Sequence, residues 1–243
     1  FRSSSNQQSY SRRPNPGRRG PARPGVRASN FGRAPEDAHG EDHSKPQQNC
    51  LRIIPLGGLG EVGRNMTVIE WRDYERDDRD ILLVDCGVRF PEEDMPGIDL
   101  IIPNAKYLED KADKISGLIF THGHFDHIGA LPYILEKIKN PLIYAAPLTR
   151  GLIVKRHEEF KQLPKLQIDE IKSGDKRKIG VFEVEFIHIN HSIPDDMALL
   201  IKTPVGPIMC TSDFKFDHNP VIDKPAEIDR LRKIGDDGLL LLM

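Results

Sequence analysis

The run Ile115-Ser-Gly-Leu-Ile-Phe120 leads without interruption into Thr121-His-Gly-His-Phe-Asp-His127. A nearly continuous apolar run of this length reads as a strand covered on both faces. Past the polar cluster, Ile128, Leu131, Ile134, Leu135 and Ile138 recur at helical spacing, which predicts a helix over 128–139. A strand that needs cover on both sides and feeds an amphipathic helix requires a layered α/β fold. The loop between them gathers three of the chain's nine histidines, with an aspartate, inside six residues.

Similar β-branched runs lie on either side. LRIIPL, NMTVIEW, DILLVDCG, PLIYAA, VFEVEFIHI, MALLIKT and PIMCTSD each read as a strand. RDYERDD reads as a long polar hairpin loop between the second and third of these runs. Further helices are expected over 104–113, 149–160 and 226–233, and the closing LLLLM reads as a buried strand. Antiparallel strands first, then interleaved helices, then more strands predict stacked αββα layers.

Composition divides the chain at residue 49. Residues 1–49 hold nine Lys and Arg against four Asp and Glu, among many Ser, Pro and Gly, with almost nothing to bury. Such a segment is expected to be a disordered basic tail, able to touch polyanions or simply to stay solvated. Residues 50–243 hold 26 Lys and Arg against 33 Asp and Glu and contain the expected domain. Cys50, Cys86 and Cys210 are too few and too scattered for a disulfide framework, which fits a reducing cytoplasm. No apolar run reaches membrane-spanning length, and the N-terminus lacks the apolar core of a signal peptide. Its Arg- and Ser-rich character is also that of an organelle transit peptide.

Gly58-Leu-Gly60-Glu-Val-Gly63 matches the G-x-G-x-x-G pattern after a strand. A dinucleotide site needs a helix to open at those glycines, and here the strand NMTVIEW follows instead. A glycine turn between two strands is the better reading.

The cluster at 121–127 suits metal coordination. His122 and His124 are two apart on a loop, and Asp126 and His127 open the following helix. Imidazole nitrogens and carboxylate oxygens suit zinc or a similar divalent ion. Four donors this close serve two ions more comfortably than one. His191 and Asp213 stand at the ends of later strands and can complete such a centre. Asp85, ending ILLVDCG, can orient a ligating imidazole from behind. His39, His43, His157 and His218 read as surface or hydrogen-bonded residues. His188 lies three residues before His191 on a strand and so faces the other way.

H-x-H-x-D-H between a strand and a helix resembles the signature of metallo-β-lactamase-fold hydrolases. PLGGLGEVGRNMTVIE, VDCGVRFPEEDMPGIDLIIPN, THGHFDHIGALPYIL, NHSIPDDMALLIKTPVG and TSDFKFDHNP resemble the ribonuclease J family of the β-CASP branch. The resemblance implies a metallo-β-lactamase αββα sandwich whose N-terminal part is residues 50–243, ending before a β-CASP insertion. It implies that His122, His124 and His191 hold one zinc, that Asp126 and His127 hold the second, and that Asp213 bridges them. Asp85 then supports the ligands, and Asp126 or Asp213 accepts a proton. Manganese or magnesium could replace zinc, and the acidic PEEDMPGIDL segment could seat calcium. The implied activity is 5′→3′ exoribonuclease with endonuclease capacity, through a water activated by two metals, in rRNA and mRNA maturation and decay. The implied substrate is 5′-monophosphorylated RNA, and the implied assembly is a homo-oligomer or a pairing with a paralogue. One position departs from the family pattern: Ser212 stands where T-G-D-F-K has glycine. A lactamase-fold hydrolase of thioesters or lactams, and an inactive RNA-binding partner subunit, are the rival readings.

Overall fold

The β-branched runs form two sheets in the computed structural model, which describes residues 48–243. The expected basic tail, with His39 and His43, falls outside the described residues except at its last two positions. The first sheet contains β1 (Cys50–Gly57), β2 (Met66–Asp73), β3 (Asp78–Val84), β4 (Ile115–Ile119), β5 (Ile143–Ala145) and β6 (Ile168–Glu170), in chain order. Its first three strands are antiparallel, and from β3 to β6 the pairing is parallel. The second sheet contains β7 (Lys176–Ile179), β8 (Phe182–His188), β9 (Met197–Thr203), β10 (Gly206–Cys210) and β11 (Leu241–Leu242). It runs β11-β10-β9-β8-β7 and is antiparallel except at the β10–β11 pair.

Alternation along the strands sets the layers. Ile69, Leu82, Val84 and Ile119 face the second sheet and pack with Val184, Phe186, Leu199 and Ile201. Their neighbours Val68, Ile81, Leu83 and Leu118 face outward onto Leu131, Ile134, Leu135 and Ile138. On the far side, Ile187, Ala198, Leu200 and Met209 are covered by Leu231 and Ile234 of a helix spanning Ile228–Asp237. Helix, sheet, sheet and helix therefore stack as αββα.

Five helices are present among the described residues: α1 (Lys106–Glu109), α2 (Phe125–Ile128), α3 (Leu131–Ile134), α4 (Pro147–His157) and α5 (Ile228–Asp237). The helix expected over 128–139 is not continuous. Its apolar face is buried as its spacing requires. Pro132 has no N–H to donate one turn back, so the segment divides into α2, α3 and a turn. The helix expected over 104–113 shortens to α1 and a 3-10 turn, Ala112–Lys114, because the chain must enter β4 at Ile115. The hairpin between β2 and β3 is tighter than expected, since Asp73 already pairs with Asp78. β11 is also not buried: Leu241 and Leu242 are exposed at the sheet edge. The glycine segment 58–63 is a turn leading into β2, with positive φ at Gly58, Gly60 and Gly63, and no helix opens there.

Candidate metal centre

Strands β3 and β4 end side by side, and their ends carry the first half of the site. Asp85 follows β3 with φ +61, a left-handed conformation that aspartate tolerates better than most residues. Its N–H donates to Ile119 O at 2.8 Å, which ties it to the end of β4. Its Oδ1 accepts from Thr121 N at 2.9 Å, and its Oδ2 meets His127 Nδ1 at 2.9 Å. The chain after β3 also clamps α2: Cys86 N–H donates to His127 O at 2.7 Å. Gly87 sits so close that a Cβ there would lie 1.4 Å from Asp126 O.

The second sheet supplies the other half. His191 lies beyond β8 and Asp213 beyond β10. A bridge between Asn190 and Lys215 joins the two loops that carry them, with Lys215 N donating to Asn190 O at 2.7 Å.

These elements bring five of the expected ligands together in two groups. His122, His124 and His191 form one, and His122, His127 and Asp213 the other, with the donor atoms of each group within 4.8 Å of one another. His122 Nε2 faces His124 Nδ1 at 2.9 Å. Asp213 Oδ2 lies 3.6 Å from His127 Nε2 and 3.7 Å from His191 Nε2, between the two groups. Asp126 joins neither group, although its Oδ2 is 3.7 Å from His127 Nε2. The acidic segment 91–100 gathers no comparable set among the described residues. His188 is buried against Lys224 O at 2.9 Å, and His157 bonds Pro164 O at 2.9 Å.

This arrangement of strand ends, with H-x-H-x-D-H on the loop after β4, coincides with a match to the family model for the metallo-beta-lactamase superfamily over residues 59–229. The chain belongs to the metallo-beta-lactamase superfamily. Within that superfamily it resembles proteins named ribonuclease J. It is 42% identical to that of Corynebacterium glutamicum over 201 residues, 82% of this chain and 27% of the relative. It is also 42% identical to that of Thermus thermophilus over 202 residues, 81% of this chain and 34% of the relative. The corresponding figures for Helicobacter pylori are 42% over 211 residues, 84% of this chain and 29% of the relative. The chain thus spans about a third of the length of the curated relatives it matches.

The electrostatics of this superfamily member fit a divalent ion. Burial, reinforced by His127 and His124, pushes the His122 imidazole down to about 2, which leaves it neutral with a free lone pair. Burial also opposes charge on His127, but the Asp85, Asp213 and Asp126 carboxylates outweigh it and lift His127 to about 10. The His127 hydrogen bond is the chief cause that holds Asp213 down to about 2. Without an ion, then, a proton on His127 supplies positive charge among facing imidazoles and carboxylates. Nitrogen and oxygen donors that demand a cation suit zinc and related divalent ions. A cavity of about 410 Å³ opens beside Asp85, His127, Ser212 and Asp213.

Four further polar groups surround the cluster. Asn65 Nδ2 lies 3.0 Å from His127 Nε2 and donates to Asp126 O at 3.1 Å. Thr121 Oγ1 and Ser212 Oγ lie 3.1 and 3.2 Å from His122 Nδ1. Asp196 is fully buried nearby, and burial raises it to about 8, partly offset by the Ser212 hydroxyl. Only Ser212, through its departure from the family glycine, carries any signal in the sequence. The others are ordinary polar residues until the fold places them.

Proposed function

We propose that this chain carries the metal-binding part of a hydrolase that cleaves RNA phosphodiesters. The observation that supports this most directly is the convergence of His122, His124, His191, His127 and Asp213 at adjoining strand ends. It occurs in a chain 42% identical to proteins named ribonuclease J. His122, His124 and His191 would hold one ion and His127 with Asp213 a second, with Asp126 completing the latter after a small side-chain rotation. Bound divalent ions, zinc, manganese or magnesium, would supply an activated water and polarise a phosphoryl oxygen.

The protein's own groups then have defined tasks. Asp85 accepts from His127 Nδ1 and so turns its Nε2 toward the cluster. Asp213, held ionised, can accept a proton from the attacking water. Asp126, its side chain 31% exposed, can pass that proton outward. A substrate phosphate would approach the cluster from the cavity beside His127 and Asp213. Within this reading, the direction is 5′→3′ on 5′-monophosphorylated RNA, with endonuclease capacity, in RNA maturation and decay in the cytoplasm. The active assembly is a homo-oligomer or a pairing with a paralogue. No helix among the described residues is long and apolar enough to cross a membrane.

The test uses the complete protein with zinc or manganese and 3′-labelled, 5′-monophosphorylated RNA. The expected products are mononucleotides and labelled RNAs shortened from the 5′ end, both lost when Asp126 and His127 are replaced by alanine. Bound metal without cleavage would refute the nuclease reading and favour a thioester or lactam substrate. Absence of metal binding would favour a non-catalytic RNA-binding subunit.

A further inference from the structure

His122 is the one imidazole shared by both donor groups among the described residues. The direction of its lone pair therefore bears directly on the ion it would hold with His124 and His191. Its Nε2 points into the cluster, toward His124. Its Nδ1 points away, between the hydroxyls of Thr121 and Ser212 at 3.1 and 3.2 Å.

A buried carboxylate stands behind each hydroxyl. Thr121 Oγ1 lies 3.1 and 3.0 Å from the two oxygens of Asp85. Ser212 faces Asp196, whose Oδ2 is 3.7 Å from His122 Nδ1. Asp85 has other duties, because it also holds His127 Nδ1 and Thr121 N. Asp196 is fully buried, and neither of its oxygens has a hydrogen-bond partner of normal geometry among the described residues. A buried carboxylate left in that state is costly. Ser212, for its part, is held at φ +59, where a serine is less at ease than a glycine.

Both features make sense if the pair acts on His122. When each hydroxyl turns its hydrogen to its carboxylate, only oxygen lone pairs face Nδ1. A hydrogen on Nδ1 then finds two acceptors, whereas a bare Nδ1 would face lone pair against lone pair. We propose that Asp196, acting through Ser212, is a positioning residue that fixes the Nδ1–H tautomer of His122 and presents Nε2 to a bound divalent ion. The inference rests on the reading of this cluster as a metal centre.

The test measures zinc affinity by chelator competition and the visible spectrum of the cobalt-loaded full chain. Asp196→Asn keeps the shape but puts a donor NH2 where an acceptor oxygen stood, and zinc should bind about 10–100-fold more weakly, with an altered cobalt spectrum. Ser212→Ala should weaken zinc in the same direction. The double variant should be no weaker than the weaker single, because both residues act along one chain of bonds. The melting temperature of metal-free Asp196→Asn should be unchanged or higher, since neither Asp196 oxygen has a hydrogen bond of normal geometry to lose. Wild-type zinc affinity and cobalt spectrum in Asp196→Asn would overturn the proposal. So would a lowered metal-free melting temperature in step with the affinity, or a double variant weakened by the product of the two singles. If the wild-type chain binds neither zinc nor cobalt, the metal-centre reading itself fails and takes this proposal with it.

Discussion

The two sheets contribute to the cluster by different means. The first delivers His122, His124, Asp126 and His127 on one continuous loop and helix, backed by Asp85 from the adjacent strand. His122 and His127 are buried, and backbone hydrogen bonds from Asp85, Cys86 and Asn65 hold the segment in place. The second sheet delivers His191 and Asp213 from separate loops, with side chains 21% and 49% exposed. One half is therefore anchored largely in the core, and the other stands on two loops joined by the Asn190–Lys215 bridge. Mutation on the first side should therefore cost stability, whereas mutation of His191 should cost chiefly metal affinity.

The largest effect should come from Gly87, on the packed side. Any side chain there overlaps Asp126 O and the His127 backbone, so α2 must move. Gly87→Ala should lower unfolding stability by about 3 kcal/mol in a denaturant titration and abolish metal binding. Asp85→Ala should follow closely, because it strands the charged, buried His127. A loss of about 3 kcal/mol in metal-free stability is expected, and a loss near zero would contradict the charge assigned to His127.

The exposed half should behave in the opposite way. His191→Ala should change metal-free stability by less than about 0.5 kcal/mol, and Asp213→Ala by clearly less than Asp85→Ala, while both sharply weaken zinc in a chelator competition. A stability loss as large as that of Asp85→Ala would show that the second sheet is no less structural than the first.

The smallest effect is one of pH. His127 is raised from its ordinary 6.5 to about 10, so its contribution is fully present below 6.5 and is lost as pH rises through 10. Asp196, raised from 3.8 to about 8, acts in the same direction. The melting temperature of the metal-free chain should fall between pH 7 and 10. Zinc affinity should rise over the same span, because the ion displaces the His127 proton. A flat melting curve across that range would contradict the charge state assigned to His127.

The packed half was also the legible half. A buried strand, three histidines and an aspartate are adjacent in sequence, so their proximity needs no knowledge of the fold. Strand positions follow from β-branched runs, and the αββα stacking from the order of strands and helices along the chain. β6 and β7 escaped because IDE and KRKI are short and charged, and they form strands only because a neighbour offers an open edge. The helix over 128–139 was overextended because apolar spacing registers burial and not continuity, which Pro132 interrupts. His191 and Asp213 could be suggested by their places at strand ends, but their distance from the histidine cluster depends on the packing of one sheet on the other. Asn65 and Asp196 had no local signature at all. Asp196 stands beside Asp195 in an acidic turn, and its burial comes only from the arrangement of β4, β9 and the loop after β10.

The two donor groups that converge around His122 should seat divalent ions at these strand ends. Anomalous diffraction from crystals soaked in zinc or manganese tests it most directly. One peak is expected among His122, His124 and His191 and a second beside His127 and Asp213. Anomalous density confined to other parts of the surface, with none at these side chains, would contradict it.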